Sequence, residues 1–285
     1  MNERPSYGSV FYMFLRNSLV RDLSFRSNFW IECVSSLSWV IMNLGFYLLI
    51  FSYTSSIGNN TGWGKWEFFV FLATTLLVNS LVQMFFMPNI QEFSELIRTG
   101  KLDFALLKPI DTQFLISFEK VNWPSTANFL FGILLMSISL FQLTHRVNEP
   151  IELTVGMIAL YLVFLACGVA ILYSLMIVLA ASSIWLGRNT SLYDFWFYIT
   201  SFSRYPMEIY NAGTLGLTLK MIFTFAVPIL IVVNVPARIL AQPMGVDPYD
   251  KWLLSGYMVI ATAMSLLFSR WVFKMSLKSY RSASS

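Results

Sequence analysis

Apolar residues in this chain run in blocks too long for the elements of a soluble core. Roughly 20 mostly apolar residues cross a bilayer, because about 30 Å of hydrocarbon must be covered at about 1.5 Å per residue. Five blocks meet that length: Phe29–Tyr53, Phe68–Met87, Ser125–Leu143, Leu153–Ala181 and Trp252–Phe273. Between the last two, Leu192–Gln242 reads in two ways. Phe195–Phe202 is followed by Arg204, Tyr205, Pro206 and Glu208, and then Leu215–Val235 is broken by Pro228 and closed by Pro236. Two full crossings there give seven spans; one crossing plus a hairpin dipping into the outer leaflet gives six. Irregular backbone at that depth is tolerated only where protein or a water-filled cavity shields it.

Charge decides between the two. Lys and Arg collect on the cytoplasmic side of a membrane protein. With the N-terminus inside and six spans, thirteen of the 19 basic residues fall inside, from Arg4, Arg16, Arg21 and Arg26 through Arg98, Lys101, Lys108, Lys120 and Arg188. Seven spans would put the final cluster, Arg270, Lys274, Lys278 and Arg281, outside. The expectation is an all-α integral membrane protein of six transmembrane helices, one domain over 1–285, with both termini cytoplasmic.

Composition agrees. At 56% apolar and 12% charged, the 285 residues carry more apolar surface than one soluble core of this size can cover. The net charge of +4 is scattered over many loops and gives no nucleic-acid footprint. Cys33 and Cys167 lie inside apolar runs and read as small buried residues, with neither disulfide nor metal spacing. Residues 1–28 include Glu3, Arg4, Arg16, Arg21, Asp22 and Arg26 without a clean apolar block, so no cleavable leader is expected.

Two connecting segments carry pattern of their own. Val10, Phe11, Phe14, Leu15, Ser18 and Leu19 recur at amphipathic-helix spacing, with Arg16 and Arg21 on another face. Such a helix can lie in the headgroup layer, apolar face down, and turn into the first span near Asn28, or pack on a partner. In the long loop after Met87, Asn89 and Glu92 resemble a capping box, predicting a helix from Ile90 that Gly100 ends in the left-handed region. Ile90, Phe93, Leu96 and Ile97 form its apolar stripe, and Leu102–Leu107 makes a second short helix before Pro109.

Catalytic chemistry is sparse. The one histidine, His145, lies in a loop, so zinc sites built on several histidines are excluded and His–carboxylate relays are disfavoured. Gly58–Lys65 superficially resembles a phosphate loop, but Trp66 stands where Ser or Thr is required and Asn59 where the first glycine belongs. Neither catalytic nor metal-ligating residues are expected. Polar residues do line up on helix faces: Glu32, Ser35 or Ser36, Trp39, Asn43 and Tyr47 on the first span, and Thr75, Asn79 and Gln83 on the second. Polar stripes avoid lipid, so they mark either helix–helix packing or a substrate path flanked by aromatics such as Phe46 and Phe85.

Leu96-Ile97-Arg98-Thr99-Gly100-Lys101-Leu102-Asp103, followed by Leu106-Leu107-Lys108-Pro109, resembles the "I-R-x-G-x-L-D…L-L-x-P" loop of ABC type-2 permeases, in a bacterial subfamily of similar length. Tyr205-Pro206-Met207-Glu208 resembles that family's "F-P" motif, and Phe225–Pro228 with Val235–Leu240 its outer "P-F…P-x-x-x-L-L" segment. Lys101 departs from the acidic residue commoner there.

The resemblance implies six spans, an N-terminal elbow over 7–27, a cytoplasmic coupling loop over 89–110 and re-entrant helices over 213–242. It implies pairing with a second permease, identical or related. It further implies docking on separate ABC ATPase subunits, two per assembly, which hold ATP and Mg; this chain would bind no cofactor. The coupling residues would be Glu92, Phe93, Glu95, Leu96, Arg98, Gly100, Asp103, Leu106 and Leu107, with the apolar Phe93 and Leu96 as anchors. Glu32, Ser35, Trp39, Asn43, Thr75, Asn79 and Phe202 would line the substrate path. The location would be the bacterial cytoplasmic membrane, and the activity export. An ion-gradient transporter and a lipid-modifying membrane enzyme are the competing classes.

Overall fold

The computed structural model describes residues 6–58, 62–147, 150–186, 191–241 and 248–280. Glu3, Arg4, Asn59, Arg188, Gln242 and Arg281 lie outside them. The regular structure of the described residues is helical, apart from an isolated bridge between Ser56 and Gly64. In order the helices are α1 (Tyr7–Ser24), α2 (Arg26–Tyr53), α3 (Lys65–Phe85), α4 (Met87–Arg98), α5 (Lys101–Leu106) and α6 (Thr112–Phe118). There follow α7 (Thr126–Thr144), α8 (Val155–Leu186), α9 (Ser191–Ser201), α10 (Gly213–Met221), α11 (Leu230–Ala241) and α12 (Pro248–Ser279).

Five helices, α2, α3 with its continuation α4, α7, α8 and α12, are long and apolar enough to cross a membrane, matching the five apolar blocks. The chain is a multi-pass membrane protein. Helices α1 and α4–α6 gather at one end of the bundle, here called basal. Both α8 and α12 finish there, because Ile177, Ala180 and Ala181 share an apolar cluster with Val272, Phe273 and Phe93. The connection between them must therefore make one net passage back to the distal end.

That connection is not a plain span. Helix α9 has 11 residues, short of a crossing, and runs into a tight turn at Phe202–Arg204. Helix α10 continues through a wide turn at Ile222–Ala226 and then bends by 89° into α11. Pro228 sits in the bend, where its missing N–H stops the helix. Every residue of α11 is buried. A segment with Asn234 and Arg238 in its interior is thus sheathed by α8, α3 and α12 rather than by lipid.

Helix α2 sits at the margin. Only Cys33, Val40 and Tyr47, seven residues apart, are buried on it. That spacing returns to one side every two turns, so the helix touches its own chain along a narrow seam. Trp30, Trp39, Met42, Phe46 and Leu49 are exposed.

Candidate functional site: a basal helical layer and an open helix face

The basal layer begins where α3 passes into α4. Pro88 has no N–H to offer the carbonyl of Met84, four residues back, and the backbone N–H of Asn122 donates to that oxygen instead at 2.8 Å. The buried Asn89 does not cap a helix, since α4 already begins at Met87. Its Nδ2 donates to the carbonyls of Phe85, Ser117 and Lys120 at 2.9, 3.0 and 2.7 Å, and its Oδ1 accepts from the N–H of Lys120 at 2.8 Å. The capping box is thereby corrected: the helix needs no cap because α3 feeds it, and the amide ties it to the 117–120 turn.

Gly100 adopts φ +70°, the left-handed value expected of it, and turns the chain into α5. Beyond it, Asp111 caps α6 by accepting from the N–H of Phe114 at 3.0 Å. Asp111 also forms a two-point ion pair with Arg270 of α12, whose Nη1 donates to Gln113 Oε1 at 2.8 Å as well. Gln113 Nε2 donates to Tyr173 of α8 at 3.0 Å. The Arg270 hydrogen bonds hold the Asp111 carboxyl below the ordinary carboxylate value. Thus the loop after α5 is fastened to α8 and α12 by charge and hydrogen bonds.

The apolar stripe of α4 faces inward. Phe93 is fully buried, its ring centroid 6.1 Å from that of Phe273, and Ile90, Leu96 and Ile97 pack around it. This corrects Phe93 as an anchor for an outside partner: its ring is enclosed by its own chain. Leu96 is half-buried in the same cluster. Glu92 pairs with Lys120 and Glu95 with Arg98, while Asp103 is half-buried on α5. Besides Lys101, what α5 and the residue after it leave in the open is apolar: Phe104 is 70% exposed, Leu107 81% and Leu106 39%. Phe104 escapes the sequence reading, although the signal is there. Leu102 and Ala105, three apart, occupy one face of α5, leaving Phe104 and Leu107, also three apart, on another.

Helix α1 lays its stripe on this layer. Phe11 meets Phe118 at 5.4 Å, Tyr7 meets Phe114 at 5.0 Å, and Ser18 Oγ accepts from the N–H of Val121 at 3.1 Å. The apolar face expected to lie against headgroups packs on the chain itself. Tyr12, Met13, Val20 and Leu23 stay exposed on the outer side, with Arg16 among them.

The expected path residues divide. Glu32, Ser35 and Trp39 are exposed and Asn43 half-exposed on the free side of α2, whereas Ser36 bonds to Asn128 of α7. Thr75 is buried in the bundle, its hydroxyl donating to the Phe71 carbonyl at 3.0 Å. Thr75 as a lining residue of an open path is therefore corrected, because α11 and α7 cover its helix. Asn79 is half-buried, and Phe202 stacks on Phe223 at 4.4 Å. The two stripes do not form one surface within this chain. At the distal end α2 is pinned by Tyr47 and Phe51 against Phe68, at 4.8 and 5.8 Å. A crevice of about 420 Å³ opens there between Phe46, Ile50, Tyr205 and Ile209.

The Tyr205–Glu208 motif also acquires a place. Asn234 Oδ1 accepts from the N–H of Met207 at 2.9 Å, and one turn later Arg238 pairs with Glu208, which also accepts from Trp63 Nε1 at 2.9 Å. Two residues four apart on α11 thus hold this motif at the distal rim.

The family model described as ABC-2 family transporter protein matches residues 37–284. No curated protein and no solved structure matches the chain.

Proposed function

The chain belongs to the ABC-2 transporter family, and from that premise we propose that it is the permease subunit of an ATP-driven exporter whose ATPase is a separate chain. The observation that carries this reading is the basal layer: a compact group of short helices, fastened to α8 and α12, that turns the apolar side chains of Phe104 and Leu107 outward. Exposed apolar groups on a water-facing loop suit a docking surface, and buried apolar anchors near an interface centre usually dominate its energetics. Glu95, Arg98 and Lys101 would form the polar rim.

In this reading the basal end is cytoplasmic, the membrane is the bacterial cytoplasmic membrane, and α1 is the elbow. Arg16, Arg21, Arg26, Arg98, Lys101, Lys108, Lys120, Lys274 and Lys278 concentrate at that end, as the positive-inside rule asks. The α10–α11 bend is the re-entrant segment, and its second arm, α11, is wholly buried, so that Asn234 and Arg238 are kept from lipid. The open face of α2 would meet a second permease or the substrate path between two copies. ATP and Mg would reside on the ATPase.

Co-expression with the cognate ATPase tests the reading. The expected result is an assembly of two permeases and two ATPases that hydrolyses ATP and moves substrate outward. Full-rate transport by this chain alone under an ion gradient would overturn it.

A further inference from the structure

At the joint of α1 and α2 a cavity of about 520 Å³ opens among Arg21, Asp22, Phe25, Asn28, Glu32 and Asn122. Its charges are not balanced. Arg21 faces Asp22 at 3.1 Å, so those two offset one another, and Asp22 also accepts from the N–H of Trp123 at 3.2 Å. Glu32 is different. It takes a hydrogen bond from Asn28 at 2.7 Å, yet among the described residues no basic group lies within ion-pair distance of it. Its place is six residues into α2, about 9 Å along the helix at 1.5 Å per residue. In the permease orientation, on which this inference rests, that is where headgroups give way to hydrocarbon.

A carboxylate bordering hydrocarbon is costly without a counter-charge. The cavity supplies room for one: its volume lies within the roughly 300–1,000 Å³ of ligand pockets, Phe25 is 70% exposed at its edge, and Phe29 lines it too. An aromatic rim beside one uncompensated negative charge fits a cation carried on an apolar tail. We propose that this cavity binds a cationic amphiphile, a protonated amine or quaternary ammonium group with an acyl-like chain. Glu32 meets the cation, and Phe25 and Phe29 flank the tail.

Binding to the purified full-length chain in a neutral maltoside detergent, without any ATPase, provides the test. Dodecyltrimethylammonium should bind saturably and at least ten times more tightly than dodecyl sulfate. Glu32→Gln should remove that preference, and Glu32→Lys should reverse it. Competition by lysophosphatidylethanolamine would assign the site to a lipid amine headgroup; no competition, with the cation still bound, would assign it to a free amphiphile. Equal affinity for cation and anion, or unchanged binding in Glu32→Gln, overturns the proposal. Should the Glu32 variants not fold, Asn28→Cys in a chain with Cys33 and Cys167 replaced by Ala gives a second reading. Its alkylation should be blocked by dodecyltrimethylammonium and not by dodecyl sulfate, and absence of protection overturns the proposal equally. Failure here would leave the permease reading standing, whereas failure to assemble with an ATPase would leave the binding result intact.

Discussion

A β-carbon added to Gly168 would lie 2.7 Å from the carbonyl oxygen of Val232. That oxygen is the one that Pro236, four residues further along α11, cannot serve with an N–H. The two features belong together: a proline frees an acceptor inside the bundle, and a glycine lets α8 close upon it. Backbone cannot retreat as a flexible side chain can, so Gly168→Ala should separate α8 from α11. The expected cost is about 1–3 kcal/mol, typical of overpacking, read as a lower unfolding temperature in detergent. An unchanged temperature would mean that α11 sits loosely.

Phe93 and Phe104 should behave in opposite ways. Phe93→Ala removes a wholly buried ring and should cost about 3–5 kcal/mol of stability, with yield falling accordingly. Phe104→Ser and Leu107→Ser remove exposed side chains and should leave the unfolding temperature within about 0.5 kcal/mol equivalent, while weakening capture of the ATPase by more than tenfold. Loss of capture in neither variant would move the docking surface elsewhere.

Asn89→Ala leaves the N–H of Lys120 and the carbonyl of Ser117 without their partner in a buried setting. Each such group costs about 1–3 kcal/mol, so the variant should unfold early. Proteolysis should then begin in the turn at 117–122, which that amide holds to α4. Cleavage starting elsewhere would contradict this role.

Arg238 and Glu208 form a pair whose side chains are only 7% and 13% exposed. Arg238→Ala strands the carboxylate and should cost about 3–5 kcal/mol. Glu208→Gln, which keeps an acceptor for Trp63, should be milder. Equal effects of the two changes would show that charge is not what fixes the distal rim.

The Asp111–Arg270 pair gives a pH signature. Its folded carboxyl lies below the ordinary value of 3.8, so the stabilisation is fully present above that value and is lost as pH falls through the lower folded one. Asp111→Asn should therefore lower the unfolding temperature at neutral pH, and the gap to the unaltered chain should close in strong acid. A gap independent of pH would assign the loss to the α6 cap alone.

What the sequence determined by itself is what depends on local run length and spacing. Five spans followed from unbroken apolar blocks, and the turn at Gly100 followed from a residue that alone tolerates that backbone. The family resemblance rested on linear motifs such as Leu96–Pro109 and needed no packing. Tertiary structure decided what each face meets. Helical spacing marks Phe93 as one side of α4 but does not say whether Phe273 or a foreign protein covers it. It marks Thr75 and Asn43 alike as polar stripes, although α3 runs through the bundle and α2 along its margin. Asn89 looks like a cap from its neighbours in sequence, and its partners include Ser117 and Lys120, 28 and 31 residues away. The same holds for Asn234 and Arg238, polar residues in an apolar run, whose burial is acceptable only because Met207 and Glu208 come back to meet them. Periodicity is a property of one helix; the identity of its partner is a property of the whole chain.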